Sequence, residues 1–140
     1  MKRYKLIILT LFLIVLIGCS SSNYVEIKGK KINIEIADTK EEQILGLMYR
    51  DKLDENSGML FVYNASEVRN FWMANMQFPL DLLFINEDKK IIKIEPASLC
   101  ENKICNIYSS NVPAMYVLEV NAKFSEENNI KAGDLVSINI

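Results

Sequence analysis

The chain has 140 residues, half of them hydrophobic, with 16 Lys and Arg against 18 Asp and Glu and a net charge of −2. That balance argues against nucleic acid, whose binding depends on clustered cations. The sequence contains no histidine, which excludes Ser-His-Asp and Cys-His nucleophile systems and histidine-based zinc sites.

Lys2, Arg3 and Lys5 precede a run of 12 residues, Leu6 to Ile17, apolar but for Thr10, and Gly18-Cys19 closes it. A bilayer span takes about 20 apolar residues. Residues 1–18 therefore read as a cleaved lipoprotein signal, with the Cys19 thiol lipidated and left as the first residue. The expected location is the cell envelope, held to the membrane through the N-terminal lipid. In a Gram-negative host that means the outer membrane or a periplasmic face, because Ser20 is not the Asp that retains lipoproteins at the inner membrane. Residues 19–23 form the lipidated end and a polar tether, and 24–140 the domain. Removing the signal leaves 13 cations against 18 acids, a net charge of −5, so acyl chains rather than electrostatics hold the membrane.

Val25-Glu26-Ile27 and Ile32-Asn33-Ile34-Glu35-Ile36 alternate apolar with polar, which predicts a half-buried hairpin. Thr39-Lys40-Glu41-Glu42 is a capping box, so a helix starts at Thr39, with Ile44, Leu47 and Met48 as its apolar face. Met59 to Tyr63 and Phe71 to Met76 read as two strands separated by a polar turn around Asn64 to Asn70. Leu80 to Ile85 and Lys90 to Glu95 form a second hairpin about Asn86-Glu87-Asp88. Cys100 and Cys105, with four residues between them, are expected to form a disulfide in an oxidising compartment; a redox or metal-binding thiol pair is the competing reading. Tyr108 to Pro113 reads as irregular, Met115 to Val120 as a strand, Ala122 to Asn128 as a short helix and Leu135 to Ile140 as the closing strand. Seven or eight short strands and so few helices predict an all-β sandwich or barrel with one or two short helices.

Three blocks are denser in unusual residues than a plain core needs: Gly46 to Arg50, Gly58 to Val62, and Phe71 to Asn75 followed by Pro79-Leu80-Asp81. With Ala37-Asp38-Thr39, Val117 to Val120 and Gly133-Asp134 in order, the chain from about Val25 onward resembles the domain-of-unknown-function 192 family (DUF192). The resemblance implies a jelly-roll-like β-sandwich, in agreement with the strand count, with a partly closed barrel as the alternative. It supplies no activity. The chain departs from the family at Gln43, where Arg is usual, at Ala74, where Lys is usual, and at Met76 and Lys123. If those cations serve an anionic ligand, this chain lacks two of them.

Arg50, Asn75, Asp81 and Glu119 lie in or beside apolar segments, where a lone charge is costly. One economical arrangement pairs Arg50 with Asp81 or Glu119 and completes the hydrogen bonds with Asn75. As a site, this is a ligand pocket floored by Trp72, with Arg50 and Asn75 as donors; as structure, it is a buried ion pair joining helix to sheet. Met48, Met59, Met73, Met76 and Met115 offer soft thioethers suited to Cu(I), although methionine is also an ordinary core filler. Asp81 and Glu119 could serve as the paired carboxylates of a hydrolase. The reading favoured is a non-enzymatic module with no cofactor, no metal and no catalytic residue, which binds a small ligand or an envelope protein through Arg50, Trp72, Asn75, Asp81 and Glu119. A structural component of an envelope assembly is the alternative.

Overall fold

The computed structural model describes residues 22–140. The leader, Cys19 and most of the tether lie outside the described residues. Seven strands and two short helices follow in the order β1 (Tyr24–Ile27), β2 (Lys30–Ala37), α1 (Lys40–Leu45), β3 (Ser57–Trp72), β4 (Leu80–Ile85), β5 (Ile91–Ala97), β6 (Ile107–Asn121), α2 (Phe124–Glu127) and β7 (Val136–Asn139). They form one sheet in the order β5-β4-β6-β3-β2-β1-β7. The sheet curls until its two edges meet, where Lys90 bridges Leu135. Around that bridge Ile91 N donates to Asp134 O, Gly133 N to Ile91 O and Val136 N to Lys89 O. Of the two expected architectures, the partly closed barrel describes this sheet.

Local chemistry explains the ends of the elements. Lys28 and Gly29 have φ of 51° and 78°, the positive pair that a two-residue hairpin between twisted strands requires. Thr39 caps α1, accepting from Glu42 N at 3.3 Å while the Glu42 carboxylate accepts from Thr39 N at 3.1 Å. The helix is a crossover rather than a core element, and none of its residues is buried. The predicted apolar face is corrected accordingly: Ile44 is exposed and Leu47, past the helix end, is the buried anchor. Gln43 faces the sheet instead, donating to Val62 O at 2.8 Å. This crossover makes β2 and β3 the parallel pair, which needs such a long connection.

The long antiparallel pair β3–β6 departs most from expectation. Asn64 to Asn70 is bulged strand rather than a turn, Tyr108 to Pro113 is strand rather than irregular, and the strand expected over Phe71 to Met76 ends at Trp72. Register shifts fall between Val62 and Glu67 and between Val68 and Asn70. Ten residues of straight strand would separate Phe61 from Phe71 by about 33 Å. Their rings lie edge-on at 4.9 Å, so the pair bends back and lays its far end over the sheet. Arg69 clamps the bend: its guanidinium sits 3.7 Å from the centre of the Tyr63 ring and donates to Ala65 O and Ala114 O.

Folding the arm back creates two apolar layers. Inside the curl lie Val25, Ile27, Ile32, Leu60, Leu83, Leu118 and Val120, closed below by Phe124 and Ile130. Beneath the arm lie Leu47, Met59, Phe61, Met73, Leu82, Phe84 and Val117. β4 feeds both layers, and all six of its residues are buried. At Gly58 the strands approach so closely that a Cβ would stand 2.6 Å from Glu119 O. Cys100 and Cys105 form a disulfide, with Cα atoms 4.4 Å apart.

Candidate functional site

Register decides which of the predicted residues meet. Glu35 pairs with Met59, Met59 with Glu119, and Glu119 with Leu82, so the four share one cross-strand row. Asp81 pairs with Val120, one step out of that row. Successive strand residues face opposite ways, so Glu119 lies under the arm and Asp81 inside the curl. The paired-carboxylate arrangement is therefore not formed.

Under the arm, Glu119 is 6 % exposed and its Oε2 has no hydrogen-bond partner. Burial pushes its carboxyl up to about 8, and the nearby Arg50 charge offsets only part of that. Arg50 itself does not take the predicted partners Asp81 or Glu119. Its guanidinium grips Glu35 with two bonds, at 2.5 and 2.8 Å, which hold the Glu35 carboxyl below its ordinary range. A bidentate fork of this kind leaves Arg50 little to offer a ligand.

Asn75, with φ of 58°, closes the same region: its carbonyl accepts from Tyr49 N at 3.0 Å, and its Nδ2 lies 3.8 Å from Met48 Sδ. Trp72 is 55 % exposed at the end of β3. It lines a cavity of about 40 Å³ together with Phe61, Met48, Met76 and Glu119. That space admits a water or two but no sugar or planar ligand. Of the five predicted residues, Trp72 and Glu119 line this small cavity, while Arg50 is engaged with Glu35 and Asn75 with Tyr49 and Met48. Of the methionines, Met48 and Met76 reach this cavity, while Met59 and Met73 are packed in the layer beneath the arm. Among the described residues, no group of three His, Cys, Asp or Glu side chains could hold a metal ion.

Asp81 belongs to a larger feature. Buried at 3 % exposure, its carboxylate accepts from Lys123 N at 3.2 Å and Ser125 N at 2.9 Å, tying the start of α2 to β4. The predicted helix over Ala122 to Asn128 is cut to one turn by this tie. Between the β4–β5 hairpin and α2 opens a groove of about 580 Å³, its apolar lining of Pro79, Ile94, Pro96, Ala122 and Ile130 interrupted by Asp81, Ser98, Lys123, Ser125 and Glu126. Ser125 Oγ is buried without a partner. Sequence reading missed the apolar lining, because only the register Asp81↔Pro96 brings residues so distant in sequence to one wall.

The family model DUF192, described as "Uncharacterized ACR", matches residues 23–138. A protein from Sinorhizobium meliloti 1021, described as a candidate transcription regulator, has a crystal structure that superposes with a TM-score of 0.76 at 31% identity, over 84% of this chain and 93% of that one. A protein of unknown function from Novosphingobium aromaticivorans DSM 12444 superposes with a TM-score of 0.74 at 31% identity, over 81% of this chain and 83% of that one. No curated protein matches the chain.

Proposed function

This chain belongs to the DUF192 family, and on that premise we propose that it is a lipid-anchored envelope protein that holds a small, mainly apolar ligand in the groove between the β4–β5 hairpin and α2. The groove carries the reading. Its volume of about 580 Å³ lies within the range of about 300–1,000 Å³ usual for small-molecule sites, which are mostly apolar with a few placed polar groups. A carboxylate offers about four acceptor positions. Asp81 uses two on backbone N–H groups, so it keeps acceptor positions for a donor from the ligand. The ligand class is accordingly an amphiphile with an apolar body and a hydroxyl or ammonium end.

The anchor rests on Lys2, Arg3, the run Leu6 to Ile17, and Gly18-Cys19. The name given to the Sinorhizobium neighbour finds no support in this chain. Its net charge is −2, and its helices have six and four residues among the described residues, too short to serve as a groove-reading helix.

Two measurements test the proposal. The mass of the protein purified from native membranes should show a chain beginning at an acylated Cys19. A series of long-chain alkanols and alkylamines should raise the melting temperature, and Ala122→Phe, which fills the groove from its half-exposed rim, should abolish that rise without lowering the ligand-free value. A rise that persists in Ala122→Phe places the ligand elsewhere.

A further inference from the structure

The groove and the anchor leave Glu119 unexplained. It is buried under the arm with Oε2 unpartnered, and the nearby Arg50 is spent on Glu35. A buried charge without a partner is costly, so a cation that reaches this carboxylate is favoured. Beside it lies the cavity of about 40 Å³, room for one ion. A buried water needs two to four polar partners, and the lining is poor in them: Gln43 already donates its amide to Ala37 O and Val62 O.

What the lining does offer is thioethers and ring faces. Met48 and Met76 both line the cavity, and Asn75, outside it, steadies the Met48 thioether through a 3.8 Å contact from Nδ2 to Sδ. Met59 pairs directly with Glu119 across β3 and β6, which sets a third thioether side chain on the same face of the sheet. Phe61 and Trp72 complete the wall, and aromatic faces attract cations. Trp72 is also half exposed, so an ion can enter past its ring.

This chemistry selects the ion. Thioethers are soft, uncharged donors that suit Cu(I), and a single carboxylate balances a single positive charge. Calcium and magnesium take six or more oxygen ligands, and among the described residues no three His, Cys, Asp or Glu side chains converge. We propose that this cavity binds Cu(I), with the Met48 and Met76 thioethers and the Glu119 carboxylate as its three donors. The Glu119 carboxyl gives its proton to solvent as the ion takes its place. The site departs from the metal-free expectation of the sequence. It lies on the other sheet face from Asp81 and its groove, and it depends on neither the groove nor the anchor.

Ag(I), equal in charge, similarly soft and not readily oxidised, is the first probe. The full-length protein, its free thiols blocked with N-ethylmaleimide, is titrated with silver nitrate in chloride-free buffer and desalted. One silver per chain should be retained, with the emission of Trp72, the only tryptophan, quenched in step. In protein carrying ¹³C at the methionine methyls, the Met48 and Met76 signals should shift while that of Met115, outside the cavity lining, stays in place. The double variant Met48→Leu/Met76→Leu, a volume-conserving change, should melt cooperatively and retain no silver, whereas Met115→Leu retains it. Glu119→Gln, which keeps the shape and removes the charge, should bind more weakly. Cu(I) supplied as its bicinchoninate complex under ascorbate should be withdrawn by the wild type and left behind by the double variant. Should the double variant not fold, the methyl shifts decide. The proposal is overturned by a wild type that retains no silver or leaves Cu(I) with bicinchoninate, by shifts at Met115 instead of Met48 and Met76, or by binding unchanged in the double variant or in Glu119→Gln.

Discussion

The two buried carboxylates illustrate how environment sets the role of a residue. Glu119 has no partner for Oε2 and sits at about 8 because burial disfavours its charged form. Its folded-state value is raised above the ordinary 4.5, so the stability it contributes is fully present below that value and is lost as pH rises through about 8. Urea midpoints should fall as pH rises across this window, and Glu119→Gln should flatten the profile. A wild-type profile already flat from acid to alkaline pH would refute a neutral Glu119. Asp81 is equally buried yet satisfied by two backbone donors. Asp81→Ala orphans both, at a cost of about 2–4 kcal/mol, measurable by urea unfolding. A loss below about 1 kcal/mol would mean that α2 holds its place without that tie. Arg50→Ala should cost much less, because its Glu35 partner is half exposed and solvent screens such pairs.

At the scale of elements, what was legible follows from how local the signal is. The Thr39 capping box and the turn at Asn86 act over four residues, and both stand where the sequence places them. The arm was illegible because its bulges break the two-residue period by which a strand is recognised. Asn64, Ala65 and Ser66 have the composition of a turn, and nothing nearby announces that Arg69 will reach back to Ala65 O and across to Ala114 O. Arg69 is the residue on which the bend depends. Arg69→Ala should lower stability by about 2–3 kcal/mol through the lost ring contact and carbonyl bonds. Arg69→Lys should rescue little of it, since an ammonium cannot fork to two carbonyls while lying flat on Tyr63. Full rescue by lysine would show that charge alone holds the arm.

For the molecule as a whole, alternation along the strands and the shortage of helices made the all-β class readable, with the partly closed barrel as one of two outcomes. Site residues were half readable. A charge between Leu118 and Val120, or between Leu80 and Leu82, announces burial, but the sheet face it takes depends on register, and a one-residue slip reverses it. That is why Asp81 and Glu119 could be singled out together and still lie on opposite sides. The groove was unreadable for the same reason: its walls come from β4, β5 and the segment after β6. One consequence concerns the bridge between Lys90 and Leu135. Three backbone hydrogen bonds join the segments 89–91 and 133–136 there, against ten paired positions along β3–β6. This seam is the weakest stave of the cask, and the groove lies alongside it through Ile94 and Ile130. Native-state hydrogen exchange should find the Ile91 and Val136 amides opening well before those of Leu60 and Leu118. A guest too bulky for the groove's mouth would then enter by the transient parting of that seam, at a rate set by the protein rather than by diffusion.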